Sequence, residues 1–424
     1  MMKTEFMAED VFRPTSFPKY TYIDRRFSNG NTYEAKLKKA LRSSGRLISI
    51  TGASKTGKTV LCHKVVEQER IIDLSGAQIQ SREDFWNQIA EKIHFPLEVQ
   101  MTTIEQNKLG VSISAGGKGK IPFLASAQAS GQISADDSTG KNIAVKEIRS
   151  SNAMINYMIA SNKVLVIDDF HYINDELQLY IARVLKTALF NGLKAILLSL
   201  PHRADDAIRH NPDLIGRTSF IEIEAWTLEE LQEIATRGFN LLHLNIDEDC
   251  SYLLARESIT SPQLMQQNCF NLAYGMQENN ISEVSKSLVE QCFRETVADY
   301  THYDEILAKV LKGPKQGRNK RKHYLLKTGK DTDIYLLLLI AVSEDPPVLS
   351  FRLEDIKSRF SALLDDGEKL PRQLSLANAV ANMEKIIRDA VSQLDTVEWK
   401  NQCLYILDPF LLFYLRWSNT WKNF

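Results

Sequence analysis

Leu47-Ile48-Ser49-Ile50-Thr51, then Gly52-Ala53-Ser54-Lys55-Thr56-Gly57-Lys58-Thr59, then an apolar-periodic run from Val60 decide the fold. A β-branched strand enters, a loop with the spacing G-x-x-x-x-G-K-[ST] follows, and a helix leaves, which is the context that gives this spacing its meaning. The two glycines let the backbone curl until successive N–H groups face one anion, and the helix starting near Lys58 adds its positive end. The stretch reads as a phosphate-binding loop. The Lys58 ammonium meets the β- and γ-phosphates of a nucleotide, the Thr59 hydroxyl holds Mg²⁺, and Gly52 to Gly57 with Val60 complete the cradle.

Outward from the loop, Lys163-Val164-Leu165-Val166-Ile167-Asp168-Asp169 is an aliphatic run ending in two carboxylates, the pattern of a strand buried on both faces. In a phosphate-loop ATPase the first acid completes the Mg²⁺ shell and the second orients the attacking water. Asp168 therefore takes the metal role and Asp169 the catalytic one. Between loop and acids lie a helix from Val60 to Glu69, a strand Ile71-Ile72-Asp73-Leu74, and a helix from Arg82 to Ile93 with Phe85, Ile89 and Ile93 four residues apart. This βαβα order implies a parallel sheet. A helix from Asp175 to Phe190 and a buried strand Lys194 to Ser199 extend it. Ser199 stands either where such enzymes sense the γ-phosphate or at an ordinary strand end. Arg203, Arg209 and Arg217 then precede Ser219-Phe220-Ile221-Glu222-Ile223. Arg217 first and Arg203 second are candidates to reach a neighbour's γ-phosphate, against the alternative of surface ion pairs.

Composition bounds the rest. The 424 residues suggest two or three domains, and 44% hydrophobic content suffices for packed cores. With 52 basic and 53 acidic residues there is no global field for nucleic acid or an anionic membrane. Five dispersed cysteines without a C-x-x-C pair indicate neither a disulfide framework nor a zinc site. The N-terminus lacks a signal-peptide pattern, and the apolar run Tyr335 to Val342 is far shorter than the roughly 20 residues that span a bilayer, so a cytoplasmic protein without a membrane role is expected.

The expected fold class is α/β: a P-loop NTPase with a parallel sheet, then a helical lid and a C-terminal winged-helix domain. Residues 1–30 form an aromatic, proline-rich strap, and 31–226 the ATPase core. A Gly/Ser/Ala-rich insertion at 97–145 is either a weakly specified β-hairpin or a surface loop. Thr227-Leu228-Glu229-Glu230 opens a helical lid over 227–311 as a capped start, and Ser261-Pro262 begins another helix. Residues 312–330 are a basic linker, with Lys320, Arg321 and Lys322 at its centre, which either contacts phosphates or keeps two domains apart. In 331–424, helices Asp333 to Val342, Leu353 to Leu364 and Ser375 to Leu394 precede two short strands and a final helix from Asp408-Pro409, which is winged-helix order. The third helix carries Asn378, Asn382, Lys385 and Arg388 as base contacts if it reads DNA, but Glu384 and Asp389 suit a protein-contacting winged helix equally.

Tyr22-Ile23-Asp24-Arg25, the loop Gly52 to Thr59, Val164 to His171, Asp213-Leu214-Ile215-Gly216-Arg217, Ser261-Pro262 and Tyr405 to Tyr414 together resemble the STAND and AAA+ ATPases of the archaeal-ATPase and origin-recognition type. The resemblance covers most of the chain outside the insertion. It implies ATP and Mg²⁺ as cofactors, Tyr22 and Arg25 near the adenine, Pro262 at the lid side of the nucleotide, and a homo-oligomer that switches with nucleotide to control a protein effector. Bacterial members of that kind often serve signalling or antiphage defence. The alternative it implies is a DNA-binding loader or target-selection ATPase. Two departures matter. Gln263 stands where a lid arginine sensing the γ-phosphate would be, and Asp169 replaces the glutamate of many AAA+ members, as is usual among STAND proteins. Slow, switch-like hydrolysis follows from the second.

Overall fold

The computed structural model describes residues 6–95, 98–107, 110–120, 135–136, 141–148, 151–200, 216–314, 321–390 and 396–423; for 98–148 it describes the backbone. The chain divides into two compact units, one of Ala35–Thr51 and Cys62–Ile221, the other of Met1–Glu34, Gly52–Leu61 and Glu222–Phe424. Helices α1 (Ala8–Val11) and α2 (Tyr33–Arg42) precede the first strand.

The first unit is built on a five-stranded sheet. Its strands are β1 (Leu47–Thr51), β2 (Ile71–Ser75), β7 (Val164–Asp168), β8 (Lys194–Ser199) and β9 (Thr218–Glu222), in the order β2-β7-β8-β1-β9. The pairs β2/β7, β7/β8 and β8/β1 are parallel. Val164, Leu165, Val166 and Ile167 are all buried, as a strand covered on both faces requires. Helices α3 (Lys58–Val65), α4 (Arg82–Lys92), α5 (Ser151–Ala160) and α6 (Asp175–Phe190) connect the strands. Phe85 and Ile89 of α4 and Ile181 and Leu185 of α6 join Ile72, Leu165 and Leu197 in one core. Ser81 and Asn174 cap α4 and α6, accepting from Asp84 N and Leu177 N.

The insertion forms an antiparallel sheet rather than a single hairpin. Strands β3 (Glu98–Asn107), β4 (Gly110–Lys120), β5 (Ala135–Asp136) and β6 (Lys141–Ile148) take the order β4-β3-β6-β5. The polar, Gly-rich sequence hid the four-stranded sheet, because its alternation is too weak to fix a register by burial.

In the second unit, helices α7 (Leu228–Leu241), α8 (Glu248–Glu257), α9 (Pro262–Glu278) and α10 (Lys286–Ala298) each begin at a capping side chain: Thr227, Asp247, Ser261 and Ser285. Thr227 and Glu230 close a full capping box, and Pro262 occupies the first helical turn. The N-terminal strap lies on α7 and α9: Phe12 packs 5.4 Å from the Phe239 ring, and Gln266 accepts from Arg13 N while donating to Thr21 Oγ1. Helix α11 (His302–Lys312) is followed by a short hairpin, β10 (His323–Leu325) with β11 (Asp331–Asp333). Then come α12 (Ile334–Ser343), β12 (Ser350–Arg352), α13 (Leu353–Leu363), α14 (Gln373–Ala390), β13 (Val397–Lys400), β14 (Cys403–Ile406) and α15 (Pro409–Trp417). The sheet here has three strands, β12-β14-β13, one more than expected, and the hairpin β10/β11 was not foreseen at all. Strands of three residues carry too little alternation to be read from sequence. The expected third helix is described over Gln373–Ala390, and its expected end at Leu394 lies outside the described residues.

Candidate functional site

The carboxyl ends of the parallel strands set out the site in register. Ser75 pairs with Asp168, Ile167 with Leu197, and Ser199 with Thr51, so Ser75, Asp168, Ser199 and Thr51 finish four neighbouring strands. Ligands of open α/β sheets bind beyond this edge. The acidic strand β7 is separated from the loop-bearing strand β1 by β8, and Ser199 at the end of β8 is buried between them.

Immediately after Asp168 the backbone turns sharply. Asp169 takes a left-handed conformation at φ 53°, and its N–H donates to its neighbour Asp168 Oδ1 at 2.8 Å. One lone pair of Asp168 is thereby held in place while the carboxylate stays partly exposed. Gly76 makes this turn possible. A Cβ there would lie 2.4 Å from the Asp169 carbonyl oxygen and 2.9 Å from that of Asp168. The second turn of α3 comes to the same end of β7, where Cys62 is fully buried. Burial, and after it the charge of Asp168, push the Cys62 thiol far above its ordinary value, so it serves as packing and not as a nucleophile.

The loop itself is tightly tied. Lys58 is buried and its Nζ donates to the carbonyls of Gly52 at 3.0 Å and Ala53 at 2.8 Å. Thr56 Oγ1 donates to Ala53 O at 2.8 Å, and Gly57 turns the chain at φ 92°, which a residue with a Cβ adopts only under strain. Helix α3 then starts at Lys58, so its positive end follows the loop directly. Thr59 and Val60, in its first turn, are half-buried. Trp226, beyond β9, donates its indole N–H to Thr56 O at 3.0 Å.

The other sequence-derived residues fall in several places. Arg25 is buried and fully engaged: Nε donates to Glu230 Oε2 at 2.9 Å, Nη1 to Glu224 O, Nη2 to Ala225 O, and the guanidinium lies 4.5 Å from the Trp226 ring. It fastens the strap to the start of α7 and backs the tryptophan that holds the loop. Tyr22 stacks 5.9 Å from Phe17; burial, and then Glu34, raise its phenol well above the ordinary range. Pro262 and Gln263 are half-buried at the start of α9. Arg217 is exposed just before β9, its carbonyl accepting from Leu47 N. Arg203 and Arg209 lie outside the described residues, as do Lys315, Arg318 and Lys320 of the basic linker.

Arg321, at the centre of the basic stretch, is engaged within the fold. Its side chain is 16% exposed, Nη1 donates to Asp333 Oδ2 at 2.6 Å and to Leu311 O, and Nη2 donates to Lys312 O and Pro314 O. It closes the carboxyl end of α11, the end where a cation is favoured. Asn382 of α14 hydrogen-bonds Tyr335, and Arg388 pairs with Glu384, so two of the four supposed base contacts have partners within the fold. Among the described residues no group of three or more His, Cys, Asp or Glu side chains could hold a metal by itself, and no helix is long and apolar enough to cross a membrane.

Gly76 and Trp226 carry no local signal in the sequence, because their roles rest on close approaches between distant segments.

No protein-family model matches the sequence, and neither does any curated protein. Solved structures do match. A Walker-type ATPase of Pyrococcus abyssi is similar over 98% of this chain and 99% of its own, at 13% identity and a TM-score of 0.50. Cdc6p from Pyrobaculum aerophilum is similar over 96% and 97% at 13% identity and a TM-score of 0.44. The ORC2 protein of Aeropyrum pernix is similar over 93% and 94% at 12% identity and a TM-score of 0.44. The likeness at 0.50, together with the strand order and the loop after β1, identifies the chain as an α/β protein of the P-loop NTPase fold with a helical C-terminal region.

Proposed function

We propose that the protein is a Mg²⁺-dependent ATPase of the AAA+/STAND kind, acting as a slow nucleotide-gated switch that self-associates and controls a protein effector, in a cytoplasmic setting such as antiphage defence. The observation that carries this reading is the register at the sheet edge: Ser199 ends β8, the strand beside β1, and Asp168 ends β7, the next strand out, while β1 itself runs straight into the loop Gly52 to Thr59. In this reading Lys58 and the loop N–H groups hold the phosphates, Thr59 and Asp168 hold the metal, and Asp169 orients the attacking water. The bound metal supplies Lewis acidity and charge neutralisation. Asp169 is turned away from the strand direction by its left-handed backbone, which separates its role from that of Asp168. The C-terminal helices and three-stranded sheet act as the winged-helix responder. Exposed Arg217 is the candidate to reach a neighbouring subunit's nucleotide.

The test is ATP titration of the wild type and Lys58→Ala, followed by solution mass with ADP and with a non-hydrolysable ATP analogue. Lys58→Ala is expected to weaken binding by about tenfold or more, as for a lost charged hydrogen bond. Mass is expected to rise with the ATP analogue only. Equal binding in the variant contradicts the loop assignment; equal mass in both nucleotides contradicts assembly.

A further inference from the structure

Lys55 stands apart from the rest of the phosphate loop. It adopts φ 61°, the left-handed region where glycine costs nothing and an L side chain is disfavoured, so its side chain should have a use that offsets the conformation. That use is visible. Lys55 Nζ lies 2.7 Å from Asp408 Oδ1, and 4.1 Å from the centre of the Phe410 ring. Asp408 is the N-cap of α15, accepting from Phe410 N at 3.1 Å, and its other oxygen accepts the Tyr303 hydroxyl at 2.6 Å. The pair is half-buried, at 29% and 18% exposure, and Tyr303 is buried beneath it. Accordingly Gly52–Leu61 belongs to the compact unit that holds the C-terminal helices.

We propose that Lys55, Asp408 and Tyr303 form a latch that holds the phosphate loop to the start of α15, and that a nucleotide's phosphates open it by competing with the Asp408 carboxylate for the Lys55 ammonium. The proposal deepens the nucleotide-switch reading and rests on it for its second half. Both partners of the ammonium are anionic oxygens, so one excludes the other when the side chain turns from α15 to the loop's interior. Opening would free α15, whose residues Pro409 to Leu415 are otherwise buried, and pass the nucleotide state to the C-terminal region.

The experiment compares wild type, Lys55→Gly, Asp408→Asn and the double variant. Glycine keeps the left-handed turn available, and asparagine keeps the helix cap while removing the charge. Hydrogen exchange of the α15 amides without nucleotide is expected to quicken about three- to tenfold in either single variant, and no further in the double variant, as for one shared interaction. Apparent ATP affinity is expected to tighten about threefold or more in Asp408→Asn, where the ammonium is left to the phosphates, and not in Lys55→Gly, which removes it. Unchanged exchange in both variants, or additive changes, overturns the latch. Faster exchange with unchanged ATP affinity in Asp408→Asn reduces the contact to a strut and overturns the competition. Absence of ATP binding in every protein, wild type included, overturns the phosphate-loop reading and the coupling with it, while the exchange result still judges the contact.

Discussion

Gly76 shows how much of the site depends on a residue that carries no chemistry. Its missing Cβ leaves room for the carbonyls of Asp168 and Asp169, the nearer at 2.4 Å from where that carbon would stand. Gly76→Ala must therefore displace the turn after β7. Overpacking against backbone typically costs about 1–3 kcal/mol, and the shift should lower ATP turnover by about tenfold or more. A thermal melt with a turnover assay checks both, and an unaltered turnover number would show that the turn tolerates the shift. At this scale the sequence was legible where a local pattern sets the conformation: Gly57 at its left-handed turn, Lys58 and Thr59 at the start of α3, and the two acids after the buried aliphatic run. It was silent about Gly76 and Trp226 because their partners are distant in the chain. It also suggested adenine contact for Arg25, whose guanidinium is engaged by Glu230 and two carbonyls.

Among the elements, α8 and α15 are joined through a carboxylate that composition alone would place on the surface. Glu257 is fully buried and receives Arg416 at both oxygens, with Trp417 and Arg256 adding further donors, all at 2.8 Å. Burial alone would raise its pKa; the hydrogen bonds and charge of Arg416, then Trp417 and Arg256, outweigh burial and hold it below the ordinary value. A depressed carboxylate contributes stability that is complete above its unfolded value, near 4.3, and is lost as pH falls through the lower folded value. Acid unfolding should therefore steepen below about pH 4, a dependence that Glu257→Gln should blunt while costing about 3–5 kcal/mol at neutral pH through the stranded Arg416. Denaturant melts across pH measure this; parallel curves for wild type and variant would contradict it. At the helix starts, Thr227→Ala should cost about 1 kcal/mol by opening the capping box of α7, read as a lower denaturation midpoint. These starts were readable, since Thr227-x-x-Glu230 and Ser261-Pro262 are local signals. The short strands β10, β11 and β12 were not, because three residues cannot display a period.

For the whole molecule, the order strand, loop, helix, then acidic strand was enough to derive the parallel sheet, and the strand order β2-β7-β8-β1-β9 agrees with it. The insertion eluded the same reasoning: its strands pair through backbone, and a Gly-, Ser- and Ala-rich sequence states no inward face. In the proposed function, the loop Gly52 to Thr59 and the acids at the end of β7 serve one ATP-hydrolysing site with divided roles. The most direct measurement is Mg²⁺-dependent ATP turnover and ATP binding by wild type and Asp169→Asn. Slow wild-type turnover is expected to fall about 100-fold or more in the variant, the scale of a lost catalytic group, with ATP affinity retained. Undiminished turnover in Asp169→Asn, or absence of turnover in the wild type, would contradict it.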